Sequence, residues 1–413
     1  MELSTKQVKT DIGIIPSDWE VRTLSDITEG ARPISYGIVQ TGDEVTNGVR
    51  CIRVVDIKDG HIDDSALITT SQEISDSYSR TILREGDAVI ALRGKIGEVA
   101  VVPEHLEGAN LTRGVALLAV VEPYSGRYVK HFLSSPIGKS ILERKLNGSA
   151  LQELPISSLR KVKIACPSLP EQRAIADALS DVDTLIEQLD ALLAKKRAVK
   201  TATMQRLLTG KQRLPGFSEP WETRRLGEVT KIVNGGTPSS SVDVYWNGDI
   251  PWCTPTDITG TSGRYLSETE RNITEKGLAN SSASLLPEGT LLLCSRATVG
   301  EVKIAVTPIT TNQGFKSLIC GPDVSNEFLY YILLTMKSEL EELSSGSTFL
   351  ELSKRSAALL EITLPPIQEQ KAIAQILSDM DAEIEALEAR RGKTQRLKQG
   401  MMQELLTGRT RLV

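Results

Sequence analysis

One segment of this 413-residue chain occurs twice, and its repetition limits the possible folds more than any other feature. The first copy opens with PEQRAIADALSDVD at residues 170–183 and closes with MQRLLTG at 204–210. The second opens with IQEQKAIAQILSDMD at 367–381 and closes with MQELLTG at 402–408. The shared motifs are equally far apart in both copies, so neither copy has gained or lost a residue. A segment without insertions indicates one continuous element.

The apolar spacing predicts that this element is a helix. In both copies apolar residues recur at alternating steps of four and three, which is a heptad seam. The seam consists of Ile175, Leu179, Val182, Ile186, Leu189 and Leu193 in the first copy, and of Ile373, Leu377, Met380, Ile384 and Leu387 in the second. Ser168 and Glu171 form an S-x-x-E capping box, while Gly210 and Gly408 are stop signals. Each copy therefore predicts a helix of about 40 residues, roughly 60 Å long.

Charge predicts how the two helices pair. Acidic residues fill the front half of each helix, and basic residues fill the rear half. The acidic residues are Glu171, Asp177, Asp181, Asp183, Glu187 and Asp190, then Glu369, Asp379, Asp381, Glu383, Glu385 and Glu388; the basic ones are Lys195, Lys196, Arg197, Lys200, Arg206, Lys211 and Arg213, then Arg390, Arg391, Lys393, Arg396, Lys398, Arg409 and Arg411. Only an antiparallel pair brings each acidic half against a basic half, so we expect that arrangement, with a pseudo-twofold axis. The alternative is a solvated charge run that matches the helix dipole.

The repeat extends beyond the helices. Trp19 in PSDWEVRTLSDI matches Trp221 in SEPWETRRLGEV. Arg93 in LREGDAVIALRGKIGEVAVV matches Arg296 in LPEGTLLLCSRATVGEVKIA. The chain therefore consists of two half-units of the same kind.

The segment before each long helix is β-rich, because its apolar runs are short, branched and bounded by Gly or Pro. The predicted fold class is α+β, with two homologous β-rich domains at 1–167 and 211–366 and two long antiparallel coiled-coil helices at 168–210 and 367–410. Short helical pieces are expected at 128–146 and 327–343. The loops at 32–47 and 235–247 differ most between the domains, which suits two related sites that recognise different targets.

Composition indicates an ordinary globular protein, which we expect in the cytoplasm without a membrane segment. The start, MELSTKQVKTDIG, lacks the apolar stretch of a signal peptide. Five cysteines, Cys51, Cys166, Cys253, Cys294 and Cys320, form no C-x-x-C pair and are predicted to be buried thiols. The net charge of −5 does not favour a protein that binds nucleic acid alone.

No catalytic motif occurs in the sequence. It lacks the phosphate loop G-x-x-x-x-G-K-[ST], a G-x-G-x-x-G after a strand and the G-x-S-x-G elbow. The Asn/Asp-Pro-Pro-aromatic signature of amino-methylating enzymes is also missing. His61, His105 and His131 have no His or Cys partner at ligand spacing, and we expect them at the surface or half-buried. We therefore predict no catalytic residue and no metal or cofactor site in this chain.

With its two β-rich domains and its helix openings EQRAIADALSDVD and EQKAIAQILSDMD, the chain resembles the specificity subunit of type I restriction–modification systems. IVNGGTPSSS and YWNGDIPWCTPTDI, within residues 232–258, resemble the front of a target recognition domain. The resemblance implies that each domain reads one half of a split site in double-stranded DNA, and that the helices set the half-site spacing. It also implies two methyltransferase subunits as partners, together with restriction subunits that translocate DNA. S-adenosylmethionine, ATP and Mg²⁺ would be bound by those partners.

Candidates for DNA contact are Arg, Lys, Asn and Gln in Gly-bounded loops, because these side chains bind base edges and phosphates. They are Arg93, Lys95 and Arg113 in the first domain, and Arg296, Asn312, Gln313 and Lys316 in the second. The matched pair Arg93 and Arg296 suits a shared role such as a phosphate contact. The alternative for this pair is an arginine that holds a turn, and for the others an exposed polar side chain.

A second apolar stripe on the first helix faces away from the seam and predicts a docking site for a partner helix. It consists of Ala178, Leu185, Leu192 and Val199, with Ile376 at the matching register of the second helix. The alternative is that the stripe packs on the chain's own domains.

Three functions therefore compete. The first is a non-catalytic subunit that specifies a DNA sequence. The second is a self-sufficient DNA methyltransferase or nuclease, which would bind S-adenosylmethionine without partners. The third is a structural coiled-coil adaptor, which would show no sequence-dependent DNA binding.

Overall fold

A computed structural model describes residues 6–148, 152–344 and 351–412. The chain divides into two compact units. Unit 1 comprises Met1–Leu189 and Arg390–Val413, and unit 2 comprises Asp190–Ala389. Each unit therefore contains one β-rich domain, the first half of one long helix and the second half of the other.

Unit 1 is built around a four-stranded antiparallel sheet. In spatial order its strands are Val99–Val101, Ala88–Ala91, Val115–Leu118 and Ser35–Tyr36. A second sheet joins Asn110–Leu111, Val49–Ile52 and Ile68–Thr70, and paired strands join Gln7–Thr10 with Gly13–Pro16, Glu20–Thr23 with Lys163–Cys166, and Ile57–Lys58 with His61–Ile62. Apolar residues fill the two central strands of the first sheet, whose side chains are buried on both faces.

Unit 2 repeats this plan with a five-stranded sheet. Its strands are Thr230–Asn234, Phe315–Cys320, Leu291–Cys294, Val302–Ala305 and Tyr265–Leu266. A three-stranded sheet joins Arg271–Ile273, Trp246–Cys253 and Thr310–Thr311, and Glu222–Arg225 pairs with Glu361–Leu364. The equivalent sheets confirm the prediction of two homologous β-rich domains.

Short helices cover the sheets of both units. Those of unit 1 are Gln72–Ser77, Gly126–Ser134, Pro136–Glu143 and Ile156–Arg160; those of unit 2 are Leu226–Val229, Pro255–Gly260, Glu275–Ala279, Asn326–Thr335, Lys337–Glu342 and Lys354–Leu359. The piece expected at 128–146 is interrupted because Ser135 is extended and Pro136 starts a new helix. Ser125 and Ser325 cap equivalent helices, accepting from the amides of Tyr128 and Phe328.

The two long helices are Leu169–Leu207 and Ile367–Leu405, of 39 residues each. They lie within the segments expected at 168–210 and 367–410 and end three and five residues before the expected ends. Both helices end before a glycine with positive φ, Gly210 and Gly408, each at φ 68°. Gly408 also packs too closely on Pro16 for a side chain, since a Cβ there would lie 2.3 Å from Pro16 Cγ.

Within each unit the long helices run antiparallel, as the charge pattern predicts. In unit 1, Asp183 of the first helix forms an ion pair with Lys398 of the second. In unit 2, Asp381 of the second helix pairs with Lys200 of the first. Two further pairs in unit 2 are Lys196 with Glu383 and Arg197 with Glu388, each with an N–O distance of 2.5 Å. Acidic front halves therefore meet basic rear halves.

The repeated LLTG motif closes the core of each unit. In unit 1 the end of the second helix, through Met402, Leu405 and Leu406, packs into the same core as Trp19 and Ile175. In unit 2 the end of the first helix, through Leu207 and Leu208, packs with Leu226 and Ile373. The tail of each helix thus completes the domain at the head of the other helix.

In unit 1 a buried pair, Glu171 and Gln172, lies at the joint between the start of the first long helix and the segment that follows the second. Arg411 Nη2 lies 2.7 Å from Glu171 Oε2, and Trp19 Nε1 donates to the same oxygen at 3.3 Å. Gln172 accepts from the amide of Ser125 at 3.0 Å. Glu171 is fully buried. Its carboxylate therefore serves as an ion-pair partner for Arg411, a role that the capping-box motif did not indicate.

Unit 2 carries the same joint. Arg213 Nη2 lies 2.7 Å from Glu369 Oε2, and Trp221 Nε1 donates to that oxygen at 3.2 Å. Gln370 accepts from the amide of Ser325 at 2.9 Å. The repeated Glu-Gln and tryptophan positions therefore belong to one structural device, present once in each unit.

Candidate nucleic-acid interface

The loops that differ most between the domains occupy equivalent places. In unit 1 the loop at 32–47 leads into Val49–Ile52, which pairs in parallel with Asn110–Leu111. In unit 2 the loop at 235–247 leads into the strand Trp246–Cys253, whose last two residues pair in parallel with Thr310–Thr311. Both loops end on an asparagine in the left-handed region, Asn47 at φ 59° and Asn247 at φ 60°. A shared framework therefore presents two different loops.

Two tryptophans anchor the loop of unit 2. Trp252 Nε1 donates to the carbonyl of Gly236 at 2.9 Å, and Trp246 Nε1 donates to the carbonyl of Ser239 at 3.1 Å. Both indoles are buried, with 4 % and 8 % of their surfaces exposed. The backbone of residues 236–239 is therefore held in place, while Thr237 and Ser239 are exposed. We call residues 235–247 the Trp-anchored loop.

Asn312 and Gln313 lie against the Trp-anchored loop. A Cβ at Gly235 would fall 1.8 Å from the carbonyl oxygen of Asn312, so only glycine permits this approach. Gln313 is exposed, and its side-chain carbonyl accepts from the hydroxyl of Thr237. Asn312 caps its own turn by accepting from the amide of Gly314 at 2.8 Å.

The matched arginines each pair with a carboxylate. Arg93 Nη2 lies 2.8 Å from Glu153 Oε1, and Arg296 Nη2 lies 2.6 Å from Glu351 Oε2. The arginine side chains remain 42 % and 44 % exposed. The hydrogen bond from Arg296 lowers the pKa of Glu351 below its usual range. Both the turn-holding role and a phosphate contact remain compatible with this geometry.

Lys316 lies in the interior of unit 2, where a direct DNA contact is not available to it. Only 4 % of the residue is exposed. Its ammonium lies 3.2 Å from Ser295 Oγ and 3.4 Å from Glu351 Oε1. Burial lowers the pKa of Lys316. Lys316 lies in the strand Phe315–Cys320, which turns its side chain inward. The sequence had instead indicated a position in a Gly-bounded loop.

Lys95 and Arg113 are exposed in unit 1. The amide of Arg113 donates to the carbonyl of Ile38 at 2.8 Å, so Arg113 adjoins the loop at 32–47. The same loop carries Tyr36 and Val39, exposed by 48 % and 42 %. They line a pocket of about 360 Å³. The other residues that line it are Ser35, Ser77, Tyr78, Arg80, Thr81, Ile156 and Arg160. The sequence offered no motif for this pocket, because its residues come from three separate segments, 35–39, 77–81 and 156–160.

The stripe predicted to dock a partner divides into two parts. Ala178 packs against the core of unit 1 and Ile376 against the core of unit 2. Leu185 is half-buried. Leu192 and Val199 are exposed by 38 % and 44 %. The own-domain alternative therefore describes Ala178 and Ile376, and an open apolar surface remains at Leu192 and Val199.

A family model described as the type I restriction modification DNA specificity domain matches the chain twice, at residues 16–195 and 218–398. The chain belongs to this specificity family. The two matches coincide with the two repeated half-units, so the internal repeat is a repeat of the specificity domain. The resemblance drawn from the helix motifs is thereby confirmed.

Relatives within the family cover different shares of this specificity subunit. The putative MjaX specificity subunit of Methanocaldococcus jannaschii is 30% identical over 426 residues, 98% of this chain and 96% of the relative. The MjaIX specificity subunit of the same organism is 43% identical over 167 residues, but these are 40% of this chain and 39% of the relative. The EcoBI specificity subunit of Escherichia coli is 29% identical over 216 residues, 50% of this chain and 45% of the relative.

Solved structures share the fold of this specificity subunit. The S subunit of a type I restriction-modification system from M. genitalium superposes with a TM-score of 0.60 at 16% identity, covering 94% of this chain and 96% of that one. A chain from a study of complex assembly and conformational transition of the type I R-M system gives 0.57 at 22% identity, covering 95% and 99%. At these identities the comparisons show the fold.

One histidine of this specificity subunit lies in the interior, contrary to the prediction from the sequence. His131 is 1 % exposed, not at the surface or half-buried as expected, and its Nε2 lies 3.0 Å from Ser180 Oγ. Burial is the main reason that the pKa of His131 is lowered to about 3, and the positive charge of Lys130 contributes to the same shift. Asp183 faces His131 Nδ1 at 3.9 Å and pairs with Lys398. Burial opposes a charge on Asp183, but the hydrogen bond and charge of Lys398 outweigh it and lower the pKa of Asp183.

The prediction of buried thiols is confirmed for four of the five cysteines. Cys51, Cys166, Cys253 and Cys294 are buried and Cys320 is half-buried, and all five are free. Burial raises the pKa of Cys51 to about 11 and that of Cys166 to about 12. Across the described ranges, no group of three His, Cys, Asp or Glu side chains is arranged to hold a metal ion. No helix in those ranges has both the length and the apolar composition needed to cross a bilayer.

Proposed function

We propose that this specificity subunit selects the DNA sequence on which a type I restriction–modification complex acts, with each unit reading one half of a bipartite, asymmetric site. One observation carries the proposal: equivalent sheets in the two units present loops of different sequence, at 32–47 and 235–247. Two readers built alike but with different contact residues suit two different half-sites. Its DNA target places such a subunit in the cytoplasm.

In this proposal the long helices set the spacing between half-sites. Each helix of 39 residues extends roughly 58 Å at about 1.5 Å per residue, which exceeds the ~34 Å of one DNA turn. Reciprocal ion pairs fix the register of the two helices within each unit. A spacer with fixed register suits a DNA site with a fixed gap.

The chain supplies recognition, and its partners supply the chemistry. Two methyltransferase subunits bring S-adenosylmethionine, and restriction subunits bring ATP and Mg²⁺ for translocation and cleavage. The apolar surface at Leu192 and Val199 supports a docking site for a methyltransferase helix. Leu397 of unit 1 occupies the position that corresponds to Val199 in the repeat, and it is also exposed, by 57 %. With a net charge of −5, the chain relies on partner subunits for much of the phosphate contact.

DNA binding by the chain with and without its methyltransferase subunits tests the proposal. We expect sequence-dependent binding once the methyltransferase subunits are present, with an affinity that falls steeply with salt. Absence of sequence preference in the full complex would favour a structural adaptor and contradict the proposal. S-adenosylmethionine binding by the isolated chain, measured by calorimetry, would favour a self-sufficient methyltransferase.

A further inference from the structure

We propose that Arg271 recognises a guanine in the half-site read by unit 2. The inference rests on the proposed function, because it assigns a base contact within the site described above. It follows from the way two tryptophans hold both this arginine and the Trp-anchored loop.

The Arg271 guanidinium is stacked on an aromatic platform. Its central carbon lies 3.7 Å from the centroid of the Trp246 ring and 5.3 Å from that of Trp252. The two indoles themselves meet edge to face, with centroids 5.0 Å apart and an interplanar angle of 84°. Stacking on indole restricts a long, flexible side chain while leaving the N–H groups at the edge of the guanidinium free to bind. Restriction before binding lowers the entropy cost of a contact.

The same tryptophans place Arg271 beside the candidate recognition loop. Their N–H groups donate to the backbone of Gly236 and Ser239, so the loop and the arginine share one support. The register of the sheet agrees, because Arg271 is the direct partner of Trp252 across the strand pair. Arg271–Ile273 is also an edge strand of its sheet, which leaves the outer side of Arg271 without a neighbouring strand.

Arg271 is available for a ligand. The residue is exposed, and among the described residues no carboxylate lies within ion-pair distance of its guanidinium. Arg93 and Arg296, in contrast, each pair with a glutamate. An exposed cation that is held by aromatic rings and carries no counter-charge suits an acceptor supplied by another molecule, and guanine offers O6 and N7 to a guanidinium in bidentate geometry.

Within the described part of unit 1 there is no equivalent platform, which favours a base contact over a phosphate contact. At the equivalent position of unit 1, the strand pair brings Cys51 opposite Ile68. Contacts to the sugar–phosphate backbone serve every sequence alike, and residues shared by the two units suit them. A residue that only one reader possesses suits the discrimination of that reader's own target.

The test uses the complete complex of this chain with its methyltransferase subunits. Once methylation sequencing has identified the recognised site, binding is measured on duplexes that carry each single base-pair change in both half-sites. For Arg271→Ala we expect a loss of roughly 5- to 150-fold on the parent site, with no further penalty for changing one particular G·C pair. Discrimination at every other position should stay at the wild-type level. Arg355→Ala, which removes an exposed arginine from the helix Lys354–Leu359, is the control and should match the wild type.

Arg271→Gln covers the case in which alanine disturbs the loop. Glutamine keeps a planar polar head for the indoles but cannot present two parallel donors to guanine, so we expect the same selective loss. An unchanged specificity profile in the folded glutamine variant would overturn the inference. An equal loss on all duplexes, including unrelated DNA, would also overturn it, because that result describes a phosphate contact. If the wild-type complex itself shows no sequence preference, the proposed function fails instead.

Discussion

Arg411 donates to Glu171 across 240 positions of sequence, with 2.7 Å between Nη2 and Oε2. The pair joins the segment after the second long helix to the first turn of the first long helix. Glu171 is fully buried, and its carboxylate accepts hydrogen bonds from Arg411 and from the N–H of Trp19. Arg411, which is 240 positions from Glu171 in the sequence, therefore completes the structure of unit 1.

Removing this arginine should destabilise unit 1. Arg411→Ala leaves the Glu171 carboxylate buried with only a neutral donor, and we expect a loss of about 3 kcal/mol in the free energy of unfolding. Chemical denaturation of the full chain, followed by far-ultraviolet circular dichroism, measures it. Arg409→Ala, two positions earlier and more exposed, is the control and should change stability little. Equal unfolding midpoints for the two variants would contradict a stabilising role for the buried pair.

Acid should destabilise the protein through His131. The pKa of His131 is lowered from 6.5 to about 3, so between these values the unfolded chain binds a proton that the folded chain does not. Stability should therefore fall as pH falls from 6.5 towards 3, by about 1.4 kcal/mol per pH unit for one proton. His131→Gln should flatten this dependence in urea titrations at stepped pH.

His105→Gln is the matched control for the acid experiment. His105 is exposed and lies 2.8 Å from Asp64. Its replacement should leave the slope of stability against pH close to that of the parent. A slope that survives in His131→Gln would show that other groups cause the acid sensitivity.

The matched arginines should contribute to affinity without contributing to specificity. Arg93→Gln in the assembled complex should weaken binding on all duplexes alike and reduce the salt slope by about 1, as expected for one lost phosphate contact. Glu153→Gln breaks the same ion pair but keeps the cation, and should leave that slope unchanged. Lys316→Gln should lower stability instead, since its ammonium is buried against Glu351. A slope unchanged in Arg93→Gln would favour the turn-holding role.

Shortening both helices together should shorten the gap between half-sites. Deleting residues 186–192 and 389–395 removes seven residues from each helix at opposed positions, so the heptad seam and the ion pairs of Asp183 and Asp381 stay in register. Each helix becomes about 10 Å shorter, which corresponds to about three base pairs. Methylation sequencing should report a recognised site with a smaller gap. An unchanged gap would count against the helices as spacers.

Much of the architecture was predictable because the sequence contains an internal repeat. The equal spacing of EQ and LLTG in both copies required uninterrupted helices, and the segregation of Asp183 and Lys200 into opposite halves required antiparallel pairing. Both predictions use only periodicity and the order of charges, which can be read from the sequence without a structure. The same holds for the buried cysteines, whose isolation in the sequence excluded a C-x-x-C site.

The contact residues were less predictable because they depend on strand direction and on partners distant in sequence. Lys316 lies next to a glycine-bounded loop in sequence, yet its strand turns it inward towards Glu351. Arg271 occupies no motif, and its stacking on Trp246 appears only when the strands pair. The role of Glu171 required Arg411, which no local pattern connects to it.

The central claim is that this chain, and not its partners, determines a split DNA sequence. Methylation sequencing of cells that carry the methyltransferase subunits, with and without this chain, tests that claim most directly. We predict an asymmetric, bipartite methylated site that appears only when the chain is present. A methylated site that persists without the chain, or that is a continuous palindrome, would contradict it.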